Sequence, residues 1–94
     1  MTAKLDAKVD QYEQLLADAL ASADPAAQAG TPLAAAADTC LQMASAYLDD
    51  GRHFQEQDDP VEALAAFSYG HAWLDAGARI GVLDAPSDGD LFAT

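Results

Sequence analysis

The stretch Tyr47–Asp75, YLDDGRHFQEQDDPVEALAAFSYGHAWLD, decides the fold. It holds two apolar runs at helical spacing, separated by Asp58, Asp59 and Pro60. Asp59 can cap free backbone amides and Pro60 fits the first helical position, so the second run starts a new helix there. So short a link makes the two helices antiparallel neighbours. The remaining residues are arranged to cover or extend this hairpin.

Upstream, the apolar stripe Leu33, Ala37, Cys40, Ala44, Tyr47, Gly51 and Phe54 alternates steps of four and three, with Leu41 and Leu48 on its flank. Thr31 followed by Pro32 starts this helix, which is expected to run to about Gln57. Gly51, just after LDD, could instead act as a terminal cap. The stripe stays in phase through Phe54, so one helix, weakened locally at Gly51, is the expectation. An earlier helix spans Thr2 to Ala23 on the stripe Leu5, Val9, Tyr12, Leu16, Ala19 and Ala23, and Asp24 and Pro25 end it. PAAQAGT connects the two.

Downstream of Pro60 there are two apolar stripes, Leu64, Phe67, His71, Leu74, Ala78 and Ala66, Tyr69, Trp73, Ala76, Ile80, roughly 150° apart on a helical wheel. Ser68, Ala72, Asp75 and Arg79 lie between them and should face water. After Gly81 the sequence VLDAPSDGDLFAT reads as a loose tail in which Leu91 and Phe92 are the residues able to dock. The organisation expected is an all-α, up-and-down three-helix bundle over residues 1–83, with helices two and three forming a long antiparallel hairpin and 84–94 a flexible acidic tail. With 94 residues there is room for one domain.

Sixteen acids against four bases give a formal net charge of −12, and only Glu13, Glu56 and Glu62 among the acids are Glu. Such a balance suits a folded domain in concentrated salt, where carboxylate repulsion is screened, so a salt-adapted, halophilic cytoplasm is expected. Lys4, Lys8, Arg52 and Arg79 are spread along the chain, which argues against nucleic acid as a partner. No apolar run reaches membrane-spanning length and the N-terminus lacks a signal-peptide core, so no membrane association and a cytoplasmic location are expected. Cys40, the sole cysteine, falls on an apolar stripe and reads as a small buried hydrophobe.

Two His/Asp pairs stand four apart, Asp49 with His53 and His71 with Asp75, which puts each pair on one helix face. In the antiparallel hairpin the two histidines lie more than a turn apart, so neither a metal site nor any cofactor is expected. His71 stands where a plain core would carry Leu, and Tyr47 and Asp75 are the nearest groups to satisfy its ring. His53, beside Arg52, reads as solvated. No nucleophile elbow, phosphate-binding Gly loop or cysteine metal pattern occurs. The paired acids Asp49–Asp50 and Asp58–Asp59 read as solvated charges and caps, not as catalytic acid and base.

The spacing Tyr47, Gly51, Phe54, Ala63, Phe67, Gly70 resembles one tetratricopeptide unit, over about a third of the chain and with no second copy. A longer resemblance lies in Tyr47–Gly77. Tyr47, Leu48, Phe54, Asp58, Asp59, Tyr69, His71, Leu74 and Asp75 stand where the archaeal family called domain of unknown function 357 places tyrosine-leucine, an aromatic before an acidic turn, and tyrosine, histidine and leucine-aspartate. Gly51, Gly70 and Ala72 depart from that pattern. The resemblance implies a small three-helix bundle, supplies no activity or cofactor, and adds weight to Tyr69, His71 and Asp75.

A non-enzymatic helical protein that self-associates or binds a protein partner through helix three is therefore the leading expectation, with Tyr69, Trp73 and Ile80 as its interface. The candidate functional cluster is Tyr47, Tyr69, His71 and Asp75. One alternative is a small hydrolase or nucleic-acid-processing subunit using His71 and Asp75; another is a lone tetratricopeptide-like peptide-binding hairpin.

Overall fold

The computed structural model describes residues 3–26 and 28–84. Three helices, α1 (Ala3–Ser22), α2 (Pro32–Glu56) and α3 (Pro60–Arg79), form an all-α bundle in which α2 and α3 pack most extensively as an antiparallel hairpin. Helix α1 lies more against α3 than against α2.

Each boundary has a local cause. Thr31 Oγ1 accepts from the Ala34 amide at 3.1 Å and Pro32 follows at the first position, so α2 starts there. At its other end the Asp59 amide donates to Phe54 O (2.9 Å) and the Asp58 amide to Gln55 O (3.1 Å), with Asp58 itself at φ +56°. This is a Schellman turn with Asp in the left-handed position that glycine usually holds. It reverses the chain within two residues. The Asp59 side chain then accepts from the Glu62 amide at 3.4 Å and opens α3.

Helix α2 is continuous through Gly51. Its buried line is Ala34, Ala37, Cys40, Ala44, Leu48 and Gly51, so the core face is rotated slightly from the stripe drawn through Leu33 and Tyr47. Leu33 is exposed and Tyr47 half-buried. Cys40 is a free, buried thiol.

Helix α3 corrects the two-stripe reading. Its buried residues are Ala63, Ala66, Phe67, Gly70, Leu74 and Gly77, an arc centred between the stripes on the side opposite Ser68, Ala72 and Arg79. Small residues occupy the middle of this arc because both neighbouring helices press against it. A Cβ on Gly70 would lie 2.7 Å from Leu16 Cδ2 of α1 and 3.0 Å from Tyr47 Cβ of α2. The apolar stripes are thus the shoulders of one buried face.

The segment after Gly81 is a second correction. Val82 and Leu83 are buried, at 3% and 4% exposure, and do not begin a loose tail. Gly81, at φ +88°, closes α3 with a second Schellman turn, its amide on Ala78 O and the Val82 amide on Gly77 O. This turn folds Val82 and Leu83 back onto the bundle. Leu83–Asp84 (β2) then pairs antiparallel with Asp24–Pro25 (β1), and the Ala26 amide donates to Val82 O at 2.9 Å. The bridge ties the α1–α2 connection to the end of α3. Leu91 and Phe92 lie outside the described residues.

Candidate functional site

The four residues of the candidate cluster fall into two groups on opposite shoulders of α3. On the shoulder towards α1, His71 Nδ1 lies 3.1 Å from Asp75 Oδ2, with side-chain exposures of 15% and 27%. An ionised carboxylate only accepts, so Nδ1–H is the donor. The four-residue separation puts both groups on one helix face. Tyr12 and Leu15 of α1 and Ser68 of α3 complete a shallow pocket of about 240 Å³ around this pair. Tyr12 is the residue there that spacing along the hairpin could not reveal, because it comes from the covering helix.

Tyr47 is on the other shoulder. Its ring packs against Tyr69, with centroids 5.7 Å apart and planes tilted by 49°. The two tyrosines, with Ala72, Trp73 and Ala76, line an open apolar depression of about 330 Å³. Tyr69 is 60% exposed and Ile80, further along the same helix, 71%; Trp73 is half-buried against the core. Val61, at the start of α3, is 62% exposed and was not singled out by the stripe pattern, since it lies one step outside both stripes. It stands seven residues before Ser68, on the strip expected to face water, so its exposure follows from the same helical spacing.

Other polar groups work between helices. Arg52 Nε of α2 donates to Glu13 Oε2 of α1 at 2.8 Å, and Gln55 approaches Asp10 and Glu13 at 3.4 and 3.5 Å. Asp49 and His53 are both exposed on α2. Among the described residues, no group of three or more His, Cys, Asp or Glu side chains is placed to hold a metal ion. No helix among them is long and apolar enough to cross a membrane. Between α2 and α3 the Phe67 ring fills the space over Gly51, the close packing that the tetratricopeptide-like spacing implies, and Leu16 of α1 sits over Gly70.

This arrangement, a hairpin with an acidic turn and an α3 carrying Tyr69, His71, Leu74 and Asp75, can be compared with known families. A family described as "Protein of unknown function (DUF357)" matches residues 11–83. The chain belongs to the DUF357 family. The DUF357 match takes in most of α1, all of α2 and α3, and ends on the buried Leu83, so the returning segment after Gly81 is inside the family's unit. Every candidate residue from Tyr47 to Ile80 falls within it. No curated protein and no solved structure matches the chain.

Proposed function

We propose that this DUF357 chain is a non-enzymatic protein of a salt-adapted archaeal cell that acts by self-association through the outer face of α3. The observation that carries the reading is the apolar content of that face. Tyr69 is 60% exposed at the rim of the depression lined by Ala72, Trp73 and Ala76, with Ile80, at the end of the helix, 71% exposed and Val61, at its start, 62%. Exposed apolar side chains grouped around such a depression on a small chain support an association site there. The charge of −12 is the reason for high salt: copies repel one another in dilute buffer and are screened in molar salt.

Sedimentation of the full chain in molar potassium chloride tests this. Wild type is expected to form a dimer, and Tyr69→Glu, which keeps the buried face intact, to remain a folded monomer. A wild-type monomer at about 100 µM, a concentration at which even weak specific pairs associate, would remove the reading.

A second reading rests on one observation, the Asp75-oriented imidazole of His71 in a surface pocket with Tyr12 and Ser68. An imidazole held in this way is suited to general-base work in a hydrolase or nucleic-acid-processing subunit, with other groups supplied by a partner. Hydrolytic activity in the purified chain that His71→Gln abolishes without loss of folding would favour it over association alone.

A further inference from the structure

We infer that the furrow between α2 and α3, on the shoulder opposite His71, receives an arginine side chain of a different, basic protein, seated among Tyr47, Phe54 and Tyr69 and held by Asp50 and Glu62. The inference goes beyond self-association, because its occupant is not this chain and the furrow is complete in a single copy.

The furrow follows from helical spacing. Tyr47, Asp50 and Phe54 come at steps of three and four along α2 and so share one face of it; Glu62, Ala65, Ala66 and Tyr69 do the same on α3. The antiparallel hairpin sets these two rows as the walls of a depression of about 130 Å³. Tyr47 and Tyr69 close one end with ring centroids 5.7 Å apart, and Phe54 stands two turns nearer the hairpin turn, about 10 Å along the helix. The small side chains of Ala65 and Ala66 keep the space between them open. Each helix contributes one carboxylate. Past the tyrosine pair the furrow runs on into the apolar depression lined by Ala72, Trp73 and Ala76.

Rings and carboxylates in one place select a cation, since the face of an aromatic ring attracts positive charge as a carboxylate does. Among the described residues, neither the Asp50 nor the Glu62 side chain makes a hydrogen bond or ion pair. None of the chain's four bases lines the furrow: Arg52 is engaged by Glu13, and Lys8 lies over Tyr12. The matching charge therefore comes from outside the chain. A second copy brings the same net charge of −12, so charge complementarity favours a basic protein over it. The rings are what set this place apart from the rest of an acidic surface. The depression lined by Asp6, Asp10, Asp58 and Asp59 has more carboxylates and no aromatic wall, and it carries no such assignment.

The shape of the furrow chooses the form of the cation. It is shallow, so a free small ion would stay largely in water, whereas a side chain projecting from a partner's surface is covered by that surface. A guanidinium is flat and weakly hydrated: it stacks on a tyrosine ring while its N–H groups reach carboxylates to either side, which an ammonium does less well. Molar salt screens the charge attraction and leaves the stacking in place. The apolar continuation past the tyrosines suits an apolar residue next to the arginine.

NMR titration of the full chain, with tyrosine and phenylalanine rings labelled, tests this with the blocked dipeptide acetyl-leucyl-argininamide in potassium chloride at about 0.1 M and 1 M. The Tyr47, Phe54 and Tyr69 rings are expected to shift together and saturate in the millimolar range, about −4 kcal/mol of binding, at both salt concentrations. The lysine peptide, and the citrulline peptide that keeps the shape without the charge, should bind at least about fivefold more weakly. Asp50→Asn with Glu62→Gln alters only exposed side chains and should weaken binding about tenfold with the amide spectrum retained. Tyr69→Leu should weaken it by a similar factor in molar salt, where stacking carries more of the affinity. Shifts that never saturate and spread over the acidic surface, or an unchanged affinity in the double variant, would reduce the effect to diffuse attraction and overturn the site. Methylguanidinium binding as tightly as the peptide would make this a free-cation site and overturn the protein partner. The same three rings shifting when the chain is concentrated without peptide would give the furrow to a second copy, which overturns this occupant and leaves the self-association reading standing.

Discussion

The Phe67 ring occupies the space that a Cβ on Gly51 would need. The residue that looked like a weak point of α2 is therefore where the hairpin closes most tightly, the ring of α3 seated on bare backbone of α2. Gly51→Ala would gain helix propensity worth about 1 kcal/mol, but it must move a fully buried ring. Overpacking of this kind costs about 1–3 kcal/mol and is expected to win. Chemical denaturation should show Gly51→Ala less stable than wild type, and the combination with Phe67→Leu less destabilised than the two single changes added. A more stable Gly51→Ala would mean that the ring moves aside freely.

That contact also marks how far the sequence could be read. The three helices and both starts were legible because capping residues, proline at the first position and apolar spacing act within a few residues: Thr31–Pro32 and Asp59–Pro60 are where α2 and α3 begin. The buried face of α3 was not legible. Hydrophobicity picked out the large residues on its two shoulders, whereas the centre of a closely approached face is filled by Ala63, Gly70 and Gly77, which carry no such mark. For the same reason Tyr47 and His71 were placed together by their level along the hairpin, although they stand on opposite sides of the helix. The return of Val82 and Leu83 depended on a left-handed Gly81 followed by two apolar residues, a pattern outweighed by the polar run behind it.

Leu83 should matter to stability as much as a residue in mid-helix. It is buried against Gly77, where an added Cβ would come within 2.6 Å of Leu83 Cδ1 and 3.3 Å of Cys40 Sγ. Leu83→Ala is expected to cost about 2–3 kcal/mol, at the lower end of core leucine truncations because the site lies at the end of the bundle. Gly77→Ala alone should also destabilise, and the double variant should be milder than the sum, since the cavity left at Leu83 admits the new methyl. Denaturation midpoints of the three variants check this. A wild-type midpoint for Leu83→Ala would show that the segment after Gly81 adds nothing to the bundle.

His71 is expected to serve the packing of α1 on α3. Its side chain is mostly buried beside Tyr12 and Leu15 and bonded to Asp75, so His71→Ala removes both a filled volume and a hydrogen bond. A loss of about 1–2 kcal/mol in high salt is expected. Asp75→Asn keeps an acceptor for Nδ1–H on a more exposed side chain and should cost less than half as much. A His71→Ala variant that melts like wild type would free the residue from a structural role and shift weight to the catalytic reading.

Salt should decide whether the bundle forms at full stability. None of the described Asp and Glu residues is buried, so their carboxylates repel one another mainly through solvent, where the Debye length falls from about 10 Å at 0.1 M to about 3 Å at 1 M. Potassium chloride is the right probe, because sulfate would strengthen apolar burial in any protein. The melting midpoint is expected to rise by more than about 5 °C between these concentrations, equivalent to roughly 1 kcal/mol in a domain of this size. The cause can be isolated by changing exposed acids alone. Asp38→Lys, Asp49→Lys and Asp50→Lys together halve the net charge without touching a buried side chain, and should reduce the salt dependence markedly while raising the midpoint in dilute buffer. If wild type melts at one temperature in both solutions, carboxylate repulsion does not set the stability of this fold, and the salt-adapted reading goes with it.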